Sequence, residues 1–504
     1  MISPAEKPSD IFDRDFEWQA LSRFIADEQA GATLGVVSGR RRQGKTYLLD
    51  AACRQAGGFY FGATEATEAE SLHRMGEALT AWLESPAPLR FVNWHEVVDA
   101  LLALGREHPI PAVIDELPYL VKASPSLPSI IQQAFGPRRE QRINSRTRLL
   151  LCGSAMSFMG KLLSGSAPLR GRAGLELVVP TLDYRDAAQF WNISDWRLAV
   201  QVNAIVGGTP AYRREFARND TPNGAEDFDS WVVRTVLNPE SPLFREARYL
   251  LAEELEVRDP ALYHSVLAAV AAGNRTRGGI AGYLDRRASD ISHPLTVLED
   301  AGLLARDADM FRENRATYRI AEPLVTFYHA VMRPVWDQLE RPGSAARIWK
   351  LSRARFQAAV LGPHFEQLCR SWALHHADPN LLGGLAARVG SGTINDPTRQ
   401  MSHQIDVAVL GVTDRGLPPL LSIGEAKWNQ TMDRGHLERL HYIKALLKAG
   451  GRLDTTDTKL TCYSGAGFTD GLRAAAEADR NILLIDLERL YEPDRTVTIH
   501  YGMN

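Results

Sequence analysis

Along the first third of the chain, apolar residues fall in short unbroken runs. TLGVVSG ends at Gly39, IPAVID at Asp115 and RLLLCGS at Ser154. Runs of this length, bounded by glycine or charge, read as strands buried on both faces. Between them apolar residues recur at helical spacing, as in KTYLLDAACRQ. Strands near 33–38, 57–62, 110–115, 148–152 and 176–179 therefore predict a parallel α/β sheet with its ligand at the carboxyl ends. Further on, ALYHSVLAAVAAG, TRGGIAGYL and SDISHPLTVLEDAGLL read as three helices, the last stopped by Gly302, and RDADMFRENRATYRI as a hairpin. Near the end, SHQIDVAVL (Ser402 to Leu410) and LLSIGEAKWNQ (Leu420 to Gln430) alternate and pause like two hairpin strands, followed by a strand, helix and strand.

The turn after the first strand carries chemistry. GRRRQGKT, from Gly39 to Thr46, fits G-x-x-x-x-G-K-[ST] between a strand and a helix. Gly39 and Gly44 let the backbone amides of Arg40, Arg41, Arg42 and Gln43 curl toward phosphate oxygens, Lys45 reaches the β and γ phosphates, and the Thr46 hydroxyl ligates Mg²⁺. Tyr47, next on the helix, joins the nucleotide contacts. The three arginine side chains point away from the phosphates, toward a lid or a neighbouring protomer. The acidic pair ending IPAVIDELPYL completes the site: Asp115 holds magnesium through water and Glu116 is the general base on the attacking water. Ser154, ending the next strand, is either a γ-phosphate sensor or a helix cap.

Composition narrows the field. At 504 residues several units are expected. Lys plus Arg total 58 against 61 Asp plus Glu, so no global field draws the chain to nucleic acid or a membrane, and binding must come from a local patch. GPRREQRINSRTR (Gly136 to Arg148) is one such patch, read either as a solvated face or as a contact for DNA or a second subunit. Cys53, Cys152, Cys369 and Cys462 are too scattered for a zinc ribbon or disulfide framework, and no apolar run spans a bilayer; with no leader-like N-terminus, a cytoplasmic location is expected.

GRRRQGKT, VIDELPYL, LLLCGSAMSFM, APLRGR and IVGGTPAY, in that order, resemble the prokaryotic, archaeal-type ATPases of the AAA+ and STAND lineage. The resemblance implies that DIFDRDFEWQALSRF packs near adenine, that Pro210 of the lid faces the base, and that Arg170 or Arg172 of PLRGR lies near the phosphates or a neighbouring subunit as an arginine finger, with a surface cation as the alternative. It also implies a winged helix after the lid. The outer face of its second motif helix, with Asp290, His293 and Thr296, is not very basic, so a DNA reader and a packing module both stand. Glu322 stands where the family usually has Asp.

In the C-terminal hairpin, a turn centred on Arg415 and Gly416 pairs Asp414 with Leu417 and, without a bulge, sets Asp406 opposite Glu425. The two carboxylates then share one Mg²⁺, with Lys427 on the face of Glu425. Asp406, Glu425 and Lys427 are similar to the motif of PD-(D/E)xK restriction-endonuclease-like nucleases, and the resemblance adds Glu366, in GPHFEQLCRSWALHH, as a further acidic ligand.

The expected fold class is α/β: a P-loop ATPase core with parallel sheet at 1–183, a helical lid at 184–257, a winged helix and bridge at 258–345, and an α/β restriction-endonuclease-like domain at 346–504. The expected function is an ATP- and Mg²⁺-dependent switch acting on DNA, RNA not being excluded, with possible self-association and no membrane. Two readings stand. In one the switch licenses cleavage by the C-terminal domain; in the other it gates DNA binding or signalling without cleavage. A small-molecule kinase fits poorly, because it has no need of Glu116.

Overall fold

The computed structural model describes residues 6–165, 167–254, 260–413 and 415–492. The readings of the first five residues, of Asp414 and of the 257/258 boundary lie outside the described residues.

Five strands, β1 (Thr33–Ser38), β2 (Phe59–Gly62), β3 (Ile110–Asp115), β4 (Thr147–Gly153) and β5 (Ala173–Val178), form one parallel sheet in the order β2-β3-β4-β1-β5. β3 and β4 are buried at every residue because helices cover both faces. Side chains alternate along β4: Leu149 and Leu151 pack with Trp94, Val97 and Leu101 on one face, Leu150 and Cys152 with Leu48, Leu49 and Val113 on the other. The fifth strand starts earlier than 176–179 because it is an edge strand paired only with β1, so its residues alternate between cover and solvent rather than forming an apolar run. Insertion of β4 between β1 and β3 sets Ser154 between the phosphate loop and the acidic pair.

The segment expected as a lid is helical, with Tyr184–Phe190, Trp196–Val206, a π-turn at Tyr212–Phe216, Phe228–Arg234 and Pro242–Glu254. Three helices follow, Pro260–Ala271, Arg277–Tyr283 and Ser292–Asp300, and then a hairpin of β6 (Leu304–Ala308) and β7 (Ala316–Ile320). Asp290, His293 and Thr296 are exposed, as the helical spacing predicts. One continuous apolar cluster runs from the lid through this triplet and the bridge to Phe365 and Trp372 in Gly362–His375.

The C-terminal sheet is mixed. β8 (Ala386–Asp396), β9 (Met401–Gly411) and β10 (Leu420–Lys427) run antiparallel, then β11 (Lys459–Ser464) and β12 (Ile482–Ile485) parallel to β10, in the order β12-β11-β10-β9-β8. The expected register holds at Ser422↔Val409, Ile423↔Ala408 and Gly424↔Val407, but the bulge-free hairpin is corrected: a slip between Leu420 and Ser422 pairs Leu420 with Leu410. Pro418 and Pro419 in the connection lack amide donors, so the ladder cannot run down to a tight turn. The tip of the β6/β7 hairpin docks on β8. Met310 N donates to Ser391 O at 3.0 Å, Thr393 N to the Asp309 carboxylate at 3.2 Å, and Phe311 lies where a Cβ on Gly392 would be. This docking covers an edge strand that would otherwise be open for pairing.

Candidate functional site

The phosphate loop folds as its glycines require. Gly44 has φ +86° and leads directly into helix Lys45–Gln55, and a Cβ at Gly39 would overlap the Val179 carbonyl. Lys45, buried, donates to the Arg40 carbonyl at 2.7 Å. Thr46 Oγ1 donates to Asp115 Oδ2 at 2.7 Å, so the two side chains assigned to magnesium already touch. Glu116 has φ +52°, an uncommon conformation for a non-glycine residue, and its carboxylate accepts the Ser154 hydroxyl at 3.0 and 3.1 Å. A cavity of about 710 Å³ opens over the loop, within the range of nucleotide-sized pockets. Asp10, Ile11 and Phe12 line it, as do Tyr47 and Pro210.

Sequence reasoning missed two residues here. Tyr60 donates to Asp115 Oδ2 at 2.6 Å from β2, a contact that depends on strand order. Arg214 lines the same cavity, with its guanidinium 5.4 Å from the Phe190 ring. It follows Pro210 by about one helical turn, and that spacing was the available signal.

The loop arginines are structural anchors. Arg40 pairs with Glu322 at 2.7 Å and Arg42 with Glu246, both glutamates being 1% exposed; Arg41 donates to the Tyr119 hydroxyl at 3.1 Å. Arg42 also lies 4.5 Å from the Phe216 ring, and Gln43 donates to Thr209 at 3.3 Å. Arg172 is exposed and does not line the nucleotide cavity, and Arg170 donates to the Gly165 carbonyl at 2.7 Å, so neither is brought to the phosphate loop of its own chain. The Gly136 to Arg148 run is not one face: Arg148 is fully buried and donates to the carbonyls of Asp27, Gln29 and Gly31, and Arg139 pairs with Asp99.

The C-terminal residues converge, with a different geometry from the one counted. The β9/β10 ladder stops at Gly424↔Val407, and Asp406 Oδ2 instead accepts the Ala426 amide at 3.0 Å, while Oδ1 accepts from Gln404 at 3.2 Å. Glu425 is paired with Lys427 at 2.8 Å and Arg439 at 2.7 Å. Burial pushes the Asp406 carboxyl up, and burial together with the Asp406 charge pushes Glu366 up. Burial raises Glu425 too, but Lys427 and Arg439 outweigh it and hold it below its ordinary value. Among the described residues no three Asp, Glu, His or Cys side chains gather closely enough to hold an ion, so the expected set of Glu366, Asp406 and Glu425 is not assembled as ligands. Glu425 Oε2 is nevertheless buried without a hydrogen-bond partner, an acceptor that a cation beside Asp406 would satisfy.

No protein-family profile matches the chain. An uncharacterized protein of Methanocaldococcus jannaschii, MJECL04, is 25% identical over 332 residues, covering 65% of this chain and 70% of that one. Among solved structures, the Walker-type ATPase paby2304 of Pyrococcus abyssi is 20% identical with a TM-score of 0.49, covering 65% of this chain and 99% of that one. The ORC2 protein of Aeropyrum pernix is 14% identical with a TM-score of 0.42, covering 69% of this chain and 97% of that one. No helix among the described residues is long and apolar enough to cross a membrane.

Proposed function

We propose that this chain is an ATP-hydrolysing switch that acts on nucleic acid and couples nucleotide occupancy to a magnesium-dependent nuclease-like C-terminal unit. The observation that carries the reading is the Ser154–Glu116–Asp115–Thr46 chain: a carboxylate beside the phosphate loop, held by a hydroxyl at 3.0 Å, next to a Thr–Asp pair at 2.7 Å. Lys45 and the loop amides bind and orient the β and γ phosphates. Glu116 accepts the proton of the attacking water, and Ser154 orients that carboxylate and exchanges its bond when a γ-phosphate arrives. Magnesium, when bound with ATP at Thr46 and Asp115, neutralises phosphate charge. Arg172, exposed and away from its own phosphate loop, supplies transition-state charge to a neighbouring protomer in a homo-oligomer.

In the C-terminal unit, Asp406, Glu425 and Glu366 are the carboxylates that would have to draw together around a divalent cation, with Lys427 orienting the water at a phosphodiester. The helical triplet and hairpin form a winged helix. The second reading, a gated nucleic-acid binder without cleavage, is favoured by one observation: Lys427 and Arg439 already neutralise Glu425.

Wild type, Lys45→Ala, Glu116→Gln and Asp406→Ala, each incubated with labelled DNA and RNA, Mg²⁺ or Mn²⁺, with and without ATP, separate the readings. Cleavage lost in Asp406→Ala and altered in Lys45→Ala establishes the coupled nuclease. ATP turnover with no cleavage of any substrate establishes the gated binder. No turnover by wild type overturns both.

A further inference from the structure

We propose that the cleft between the helical triplet and the bridge is a track for single-stranded nucleic acid that delivers one phosphodiester backbone to Glu366 and Asp406. The inference rests on the reading above that the C-terminal unit handles nucleic acid, and it narrows the substrate to unpaired strands.

The outer part of the cleft has a volume of about 700 Å³, and its lining includes Arg275, Arg333, Arg355, Tyr283 and His329 but no carboxylate. Arginines elsewhere in the chain are commonly matched to acids, as in Arg139–Asp99, Arg234–Asp220 and Arg245–Glu340. Those of the outer cleft make no ion pair among the described residues. Arg333 and Arg355 reach only the main-chain carbonyls of His264 and Ala330, and among the described residues the Arg275 guanidinium makes no hydrogen bond or ion pair. Guanidinium groups left without carboxylates in one concavity match the spaced charges of a phosphate backbone. Tyr283, 54% exposed, offers a ring for base stacking. His329 is buried and its Nδ1 has no partner, leaving one more polar atom for a ligand or bridging water.

The outer cleft continues inward. Ala271, Arg275, Ala359 and Pro363 wall both it and a narrower cavity of about 160 Å³ that reaches Glu366, Arg370, Gln404 and the Arg319–Asp307 pair. Gln404 is hydrogen-bonded to Asp406, and the charge of Arg275 acts on Glu366, so the basic and acidic ends are in electrostatic contact. The inner room lies below the roughly 300 Å³ of a small-molecule pocket. It admits a backbone link and excludes a base pair. Ser391, whose carbonyl accepts the hairpin amide of Met310, is in its wall, so the docked hairpin tip adjoins this cavity.

The test is fluorescence anisotropy on the full chain with labelled oligothymidylate, its RNA counterpart and a duplex of matched length, in Ca²⁺, across a salt series. The expected result is that wild type binds single strands at least about tenfold more tightly than duplex. In the Arg275→Ala/Arg333→Ala/Arg355→Ala variant the slope of log affinity against log salt should flatten by about 2, at roughly 0.7 per lost phosphate contact. The corresponding Lys variant should recover most of the slope, and ATP turnover should be unchanged in both. If the triple variant does not fold, Arg275→Ala alone should flatten the slope by about 0.7. Equal affinity for duplex, or an unchanged slope, overturns the track. Parallel incubations in Mg²⁺ keep the two proposals distinguishable. Duplex cleavage lost in Asp406→Ala but untouched in the arginine variants sinks the track and keeps the nuclease; arginine-dependent single-strand binding without cleavage keeps the track and sinks the nuclease.

Discussion

Replacing Glu322 by alanine removes the acidic half of the ion pair that ties the phosphate loop to the segment following the hairpin. The pair is short, 2.7 Å, with Glu322 1% and Arg40 14% exposed. At an effective dielectric of about 20 the gross Coulomb attraction is about 6 kcal/mol, most of it offset by desolvation of the two charges. Removing one partner of a buried pair costs about 3–5 kcal/mol, and the residual exposure of Arg40 places this one at about 3 kcal/mol. Part of that cost should reach the nucleotide. The Arg40 carbonyl accepts Lys45 Nζ, so releasing the Arg40 side chain loosens a residue whose backbone shapes the site. Refixing one loop residue on binding costs about 1–2 kcal/mol, which weakens ATP affinity about tenfold. Titration of a fluorescent ATP analogue and chemical denaturation, run on Arg40→Ala, Glu322→Ala and the double variant, measure both effects. Wild-type affinity in Glu322→Ala, or single effects that add to within about 0.5 kcal/mol, would refute the anchor.

Glu116→Gln should bind ATP like wild type while turnover falls by about 10²–10⁴, read by phosphate release; undiminished turnover removes Glu116 as the base. Tyr60→Phe removes one of the two hydroxyls on Asp115 Oδ2 and should lower stability by about 1 kcal/mol in denaturant melts, whereas an unchanged midpoint means water replaces it. Asp186 is raised to about 6 by burial and by the neighbouring charges of Asp13 and Asp183. Its folded form holds a proton that the unfolded chain has released, so stability falls as pH rises from about 4 to 6 and stays lowered above. Asp186→Asn should therefore stabilise by about 1 kcal/mol at pH 7.5, after discounting for partial exposure, and by almost nothing at about pH 3; equal gains at both contradict the assignment. Gly392→Val would occupy the space of Phe311 and should release the hairpin tip from β8, speeding amide exchange at residues 309–315 while leaving ATP turnover intact. Unchanged exchange there would show that the edge tolerates the side chain.

What was legible in the sequence follows from how local each signal is. The phosphate-loop helix appears as Lys45–Gln55, the stretch read from GKT and its apolar spacing, because glycine punctuation and helical period act over a few residues. The burial of β3 and β4 was legible for the same reason. Strand counting places Asp406 near Glu425, and the counted register survives up to Gly424↔Val407 because the slip lies on the turn side of Ser422; what counting does not report is that the Asp406 carboxylate accepts the Ala426 amide. Arg148 illustrates the opposite limit. Within an arginine-rich run it reads as surface, yet it sits in a fully buried strand, where three carbonyls replace water around the guanidinium. The partner of Arg40 lies 282 residues away, and no periodicity reports a contact of that range.

These long-range pairs bear on how a nucleotide could be felt elsewhere in the chain. A ligand shifts a conformational balance only through contacts that differ between states. In the proposed function the γ-phosphate would meet Lys45, whose ammonium here donates to the Arg40 carbonyl, and Ser154, whose hydroxyl here donates to Glu116. Both bonds would then be exchanged on binding, and the first lies on the residue whose side chain is paired with Glu322. Glu322 directly precedes Pro323–Phe327, whose Leu324, Val325 and Phe327 belong to the same apolar cluster as Phe365, the neighbour of Glu366. Close-packed interiors transmit displacement rather than absorb it. A loop that flexed freely would dissipate the exchange locally. Arginines anchored to carboxylates 1% exposed, on helix Pro242–Glu254 and behind the hairpin, make the phosphate loop the mechanical neighbour of helix Gly362–His375.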